Sequence, residues 1–500
     1  MVKRIAILFF VVFAEFAQAQ NRANIWQLGD NPSNMPDPSM YIDFNSGSAV
    51  ADTVIRAMSF FNTNASICDT TGQLLFYTNG VYIANRNHDS LLNTVNFNPG
   101  YWTDFYGNDG MGIPQGALII AIPGSYNLYG IFTVSGEYGD FYGKTYAPLY
   151  LSYSEVDMNL DSGLGGIIKK NIHLVEDTIM WGRLTACKHA NGRDWWIITH
   201  KFFSDKYYKL LIEPDTMILY EQSIGNIFSS YDANGMAVFS PNGSQYAHLN
   251  MNDTIELLQF DRCTGEFFNP ITLAVPDSPI TLSATLGCQF SPNSRFLYVN
   301  SYRRVWQFDS WATDIQASLI LIDTINPLTI YPLFLQQLAP DGKIYISTFN
   351  TNGAMPVLHV INKPDDLGPF CNVEFHGFPL PPVTGNFCVP NFPNYDLGSL
   401  LGSPCDTLFN NVSEPKEIEQ LRLKILPNPN NGTFTTQYHL PQLQEGEIKI
   451  INLYGEIIAN FKRPMWSSIL NLSLPNLPKG LYLVKLRSGE KTVSTKMIVE

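Results

Sequence analysis

Between residues 236 and 348 the chain repeats one pattern of apolar and polar positions three times. The stretches are MAVFSPNGSQYAHLN from Met236, GCQFSPNSRFLYVN from Gly287 and LQQLAPDGKIYIST from Leu335. Each runs apolar, then Pro, then Asn or Asp, then Gly or Ser, and then alternates. Pro presets the backbone for the second turn position, Asn or Asp bonds back to the main chain, and Gly accepts a left-handed conformation. Each stretch therefore predicts a β-hairpin. Looser copies precede them: ASICDTTGQLLFYTN, IIAIPGSYNLYGIFTVS and TACKHANGRDWWIITH. The residue opening each second strand is Gln73, Asn127, Arg193, Ser244, Arg295 and Lys343, a mean spacing of 54. A strand-built repeat of this order predicts propeller blades. At that spacing residues 22–400 hold close to seven blades, with six, the number of visible hairpins, as the alternative count. The seventh is expected to close through NIWQLGD and SMYIDFNSG joining strands after Pro356, which removes exposed sheet edges.

After Cys405 the texture changes. Residues 409–421 are polar and charged and read as a linker. Residues 422–500 alternate in short runs separated by Pro-Asn, Tyr-Gly, Lys-Gly and Ser-Gly turns, the pattern of a small immunoglobulin-like sandwich. The expected fold class is all-β: a β-propeller over residues 20–408 followed by that sandwich. Low charge (15%), 13% aromatics, 36 glycines and 32 prolines fit many short strands joined by tight turns.

The first residues, MVKRIAILFFVVFAEFAQAQ, carry a positive start, a short apolar run and small residues at Ala17 and Ala19. This is the grammar of a secretory signal cleaved after Ala19. The apolar run is too short to span a bilayer, and no later segment is long enough, so no transmembrane segment is expected. A net charge of −13 argues against nucleic acid as a partner. Export permits disulfides among the seven cysteines, and the absence of any CxxC pair argues against a structural zinc site.

Two resemblances add to these readings. FNSGSAV, CDTTGQLLFYTNGVYIANRNH, LTACKHANGRDWWIITHKF, FDRCTGEF, LAPDGKIYI and PNFPNYDLGSLLGSPCDT resemble an exported propeller family of Gram-negative bacteria. The resemblance implies a Trp-Asp-repeat-like or YVTN-like propeller and brings no catalytic residues. PNPNNGTF (Pro427 to Phe434), INLYGEII, LPKGLYLVKL and KMIVE resemble the type A C-terminal sorting domain of the type IX secretion system. The positions that carry this match are Pro427, Asn428, Pro429, Gly432, Gly455, Gly480, Tyr482, Lys496 and Val499. The resemblance implies that the type IX machinery is the partner of this module. It also implies an export machine that reads the free folded end, and release to the medium or attachment to the outer-membrane surface.

Candidate chemistry is sparse. The chain has no HExxH, GxSxG, P-loop, calcium loop or sialidase box, and no cofactor is expected. In CKHANGRDWWIITH, His189 and Asp194 flank a turn and are candidates for a polar pair at the rim, and Trp195 and Trp196 are expected to point to opposite faces of one strand. In GYWTDFYGNDG, the rings of Tyr101, Trp102, Phe105 and Tyr106 suit stacking on sugars. His189, Asp194, Trp195, Trp102 and Tyr106 are the candidate ligand residues for a glycan or protein. Bridging Cys263 to Cys288 closes a loop of 26 residues, worth about 3 kcal/mol on the chain-entropy model. Cys371, Cys388 and Cys405 offer a second bridge in the closure region. The leading expectation is a secreted or cell-surface binding or adhesion protein. The alternative is a polysaccharide hydrolase or lyase with its site in the channel.

Overall fold

A computed structural model describes residues 21–30, 36–141, 144–227, 235–250, 254–276, 285–326, 332–348, 356–406, 421–440, 444–463, 469–474 and 476–500. The signal segment and nearly all of the linker read from the sequence lie outside the described residues.

Among the described residues before 407, seven antiparallel sheets follow one another along the chain. Blade 1 is Ile25–Leu28, Asp37–Asp43 and Val50–Arg56; blade 2 is Ala65–Cys68, Leu74–Thr78 and Ile83–Asn85. The other five are four-stranded and begin at Ala117–Ala121, Thr185–Lys188, Ala237–Phe239, Thr285–Phe290 and Leu333–Leu338. These first strands are buried at nearly every described side chain, because they line the axis of the ring. Outer strands such as Met217–Ser223 alternate or are exposed. Aromatic and aliphatic side chains from all seven blades merge into one core.

The turn read from the sequence is the device that starts each second strand. Gln73, Asn127, Ser244, Arg295 and Lys343 immediately precede Leu74–Thr78, Leu128–Phe141, Gln245–Asn250, Phe296–Ser301 and Ile344–Thr348, and Arg193 falls one residue earlier still before Trp195–His200. The side-chain oxygens of Asn191, Asn242, Asn293 and Asp341 each accept the backbone N–H two residues on, at 3.0, 3.0, 2.9 and 3.2 Å. Positive φ follows, at Gly192, Gly243 and Gly342, and at Ser294 where glycine is replaced.

Closure differs in detail from the expectation. The strands after Pro356, Val357–Ile361 and Val373–Pro379, complete blade 7 with their own predecessors. The N-terminal strands form blade 1, and the returning chain meets them through one antiparallel bridge, Asp30 to Gly385. From there the chain runs along the inner strands as a strap through residues 386–395, in place of a regular strand, and then crosses outward to the turns of blades 4 and 5 at residues 398–405. Blades 7 and 1 also pack directly, with the Tyr345 ring 5.7 Å from Trp26 and 5.9 Å from Phe44.

The second unit is a sandwich. One sheet pairs Arg422–Leu426, Thr433–His439 and Ile469–Ser473; the other pairs Ile457–Arg463, Gly446–Ile451, Gly480–Ser488 and Lys491–Val499. Phe434, Ile448, Ile450, Val484, Leu486 and Met497 fill the space between them. Two sorting stretches distant in sequence meet at one edge. Asn428 donates to the Lys496 carbonyl at 2.8 Å and accepts from the Ile498 amide at 2.8 Å. Asn430 N–H donates to the Ile498 carbonyl at 3.0 Å, and Glu500 N–H to the Asn430 carbonyl at 2.8 Å. Gly432 and Gly455 take positive φ in turns, and the buried Tyr482 hydroxyl donates to the Pro478 carbonyl at 2.7 Å.

Candidate functional site

The strap occupies the channel of the ring. Its Asn391 side chain donates to the carbonyls of Ala117 and Leu184, both at 2.9 Å, and accepts from Gln115 at 3.3 Å. Its backbone N–H donates to the Asn64 carbonyl at 2.8 Å. One residue thus ties the inner edges of blades 2, 3 and 4 to the axis. Above it, Ser347 donates to the Phe387 carbonyl at 3.0 Å. Below it, the Tyr395 hydroxyl donates to Ile119 at 2.7 Å and Asn394 to Pro241 at 2.8 Å. A disulfide between Cys405 and Cys263 on blade 5 fixes the far end.

The cysteine pairing corrects both expected bridges. Cys288 and Cys371 are buried thiols inside their blades, and Cys388 is a buried thiol of the strap. Burial pushes the Cys371 thiol up to about 11 and Cys388 to about 12, so neither is a reactive thiolate. The sequence carried no signal for Cys263 with Cys405, because the strap that unites them has no periodic pattern. His189, Cys263 and Cys405 place a ring nitrogen and two sulfurs within 4.8 Å of one another. With the sulfurs bonded to each other, the group is a locked junction.

That junction is where the hairpin of His189 and Asp194 sits. The two side chains do not pair. His189 Nδ1 accepts the Asn191 amide at 3.2 Å and Nε2 lies 3.0 Å from the Cys263 carbonyl. Asp194 is buried and held by Arg193 at 2.6 Å and by Asn191 at 2.6 Å. Trp195 and Trp196 are both 2% exposed. The second strand of a blade is covered on both faces by neighbouring blades, so opposite-facing tryptophans are both core. Trp195 stacks edgewise on Tyr395 of the strap, with the Lys188 ammonium 4.7 Å over its ring. Burial first, and then Arg22 and Arg262, lower Lys188 to about 8.

At the end of the ring where the first turns lie, the strap forms the floor of a cavity of about 660 Å³. Phe392, Pro393 and Tyr395 make the floor, and inner-strand residues such as Gln289 and Gln337 make the walls. Arg22 and Asp396 are the charged residues among those lining it.

The opposite end carries the aromatic loop. Tyr101–Tyr106 is a short helix packed on the long strand Leu128–Phe141. Trp102 is 8% exposed and lies against Gly136, where an added Cβ would fall 1.1 Å from the indole. Tyr106 stacks on Trp102 at 4.7 Å and on Phe61 at 5.7 Å. Trp102 and Tyr106 therefore build the platform, while its open rings are Tyr101 (37% exposed), Phe105 (63%) and Tyr138 (68%). Tyr101 stacks on Phe105 at 5.8 Å and 22°, and lies 5.5 Å from Tyr138. Tyr138 was not legible as a partner because it sits on a strand distant in sequence.

One buried polar group was also missed. Between blades 4 and 5, Tyr207 lies 2.8 Å from His248 and 3.0 Å from Glu256, with His248 3.1 Å from Glu256. The His200 ring packs tilted against Tyr207, with centroids 4.5 Å apart. All four are within 1% of full burial, so the group holds the blades together out of reach of ligand.

The fold defines an all-β chain of two parts, a seven-bladed propeller sealed along its axis and a C-terminal sandwich. Residues 424–500 match the family model of the secretion system C-terminal sorting domain, so the sandwich is an address for type IX export. No curated protein matches the chain. Among solved structures, it is similar to a candidate 6-phosphogluconolactonase from Bacteroides fragilis at 10% identity and TM-score 0.40, over 73% of this chain and 96% of that one. It is also similar to the Cps50 (Swd1) β-propeller domain of Myceliophteria thermophila at 12% identity and TM-score 0.28, over 68% and 89%. Hydrazine synthase of Kuenenia stuttgartiensis matches at 11% identity and TM-score 0.35, over 71% and 99%. The propeller assignment rests on the seven sheets themselves. No helix among the described residues is long and apolar enough to cross a membrane.

Proposed function

We propose that the chain is a secreted or surface-attached binding protein of a Gram-negative cell, released from its signal peptide after Ala19 and delivered by the type IX machinery through residues 422–500. The ring is the cargo, and it meets a glycan or protein ligand through its faces without covalent chemistry. The observation that carries this reading is the occupied axis: Asn391 and its neighbours fill the space where a propeller enzyme would gather its reacting groups. The cavity left at the mouth brings together two charged side chains, too few for convergent acid–base work. The face bearing Tyr101, Phe105 and Tyr138 supports a contact surface, since exposed aromatic rings on a rigid scaffold are the usual anchors of recognition. The test is binding of the full mature chain to a glycan array and to immobilised extracellular proteins, beside the variant Tyr101→Ala/Phe105→Ala/Tyr138→Ala. Loss of at least about tenfold in the captured ligand is expected, as for hot-spot aromatics. Equal binding by both forms removes that face from the function.

A further inference from the structure

We propose that the cavity at the channel mouth is a second, independent binding site, and that its ligand is a neutral saccharide entering end-on. Gln289 and Gln337 occupy the same position on neighbouring inner strands, next to last in Thr285–Phe290 and Leu333–Leu338. Both are buried and both line the cavity. Their amide orientations are fixed by chemistry. The Phe290 N–H, which can only donate, meets Oε1 of Gln289 at 2.9 Å, so the Gln289 amide NH2 is left for the cavity. The Leu338 carbonyl, which can only accept, meets Nε2 of Gln337 at 3.1 Å, so the Gln337 Oε1 is left. Neither remaining end has a partner among the described residues. A donor and an acceptor side by side match a hydroxyl, which gives and takes one hydrogen bond at once.

The rest of the cavity agrees with that chemistry. Phe392 on the floor and Phe44 and Phe239 on the walls offer apolar surface to the C–H faces of a sugar ring. Arg22 and Asp396 carry opposite charges, so the site has no net charge with which to select an ion. Its volume of about 660 Å³ falls within the range of small-molecule sites. The strap closes the floor, so a polymer cannot thread through and presents its terminal residues.

The test is saturation-transfer NMR and calorimetry on the full mature chain with cellobiose, laminaribiose, maltotriose and diacetylchitobiose. At least one is expected to bind, and Gln289→Leu and Gln337→Leu, of similar size but unable to bond a hydroxyl, are each expected to weaken it tenfold or more. Should those variants fail to fold, Pro340→Trp at the exposed rim blocks the mouth from outside and is expected to abolish binding. The triple aromatic variant of the opposite face is expected to bind these sugars as the parent does. The inference is overturned if none of the four sugars binds. It is equally overturned if Pro340→Trp binds normally, or if a neutral tripeptide binds in their place. Binding lost in the aromatic variant and kept in the glutamine variants overturns this site while leaving the proposed function standing.

Discussion

Asn391 shows how one amide can do the work of a strand. From the strap it donates twice, accepts once and offers its own backbone N–H, all with groups at the inner edges of blades 2, 3 and 4. Replacing it by Asp turns two donors into acceptors facing two carbonyls. Asn391→Asp is therefore expected to destabilise the ring by about 3 kcal/mol, read as a shift in denaturant midpoint. The buried histidines give a pH dependence with a definite sign. Burial, then for His200 the neighbouring His248, and Arg183 for both, hold their imidazoles well below the ordinary histidine value of 6.5. Folded, they stay neutral; unfolded, they take up protons near pH 6.5, so stability falls as the pH drops below that value. Glu256, raised above 4.5 by burial, works in the opposite direction and softens the loss near the acid end. The melting temperature is expected to be lower at pH 5.5 than at pH 7.5, and His248→Gln is expected to flatten that slope. At this scale the Asn and Asp of the Pro-Asn-Gly turns were legible, because their bonds are local. Asn391 was not, since its partners lie 207 and 274 residues away.

Elements divide in the same way. Each hairpin announces itself by alternation and a turn with a mechanism, so six second strands were placed to within a residue or two. The strap has no period, makes no ladder among the described residues and bonds with groups of blades far apart in sequence, so only the structure reveals it. Its disulfide spans 142 residues, for which the chain-entropy model gives up to about 5 kcal/mol. Cys405→Ser is expected to lower stability by a few kcal/mol, and non-reducing peptide mapping of the parent is expected to yield one linked pair, Cys263 with Cys405. Free alkylation of both would remove the latch. The aromatic platform was half legible: its composition was visible in one loop, but which rings are open depends on Gly136 and Tyr138 of another strand. In the sandwich, Asn428 grips the last strand at Lys496 and Ile498. Asn428→Ala is expected to cost about 1–2 kcal/mol and to speed amide exchange at Ile498 before the rest of the sheet.

For the whole molecule, seven blades and a terminal sandwich were readable from repeat spacing and a change of texture. The mode of closure was not, because it depends on a segment whose partners are scattered through the ring. The two parts serve different ends: the ring is held by its strap and disulfide, and the sandwich, through residues 424–500, carries the address. The most direct measurement follows the chain itself, comparing the full protein with one lacking residues 422–500 in the native cell. Fractionation and protease shaving should find the full chain outside the cell and the shortened one held, folded, in the periplasm. If the shortened chain reaches the surface or the medium in equal amount, the sandwich is not the address, and the account of this protein as exported surface cargo fails.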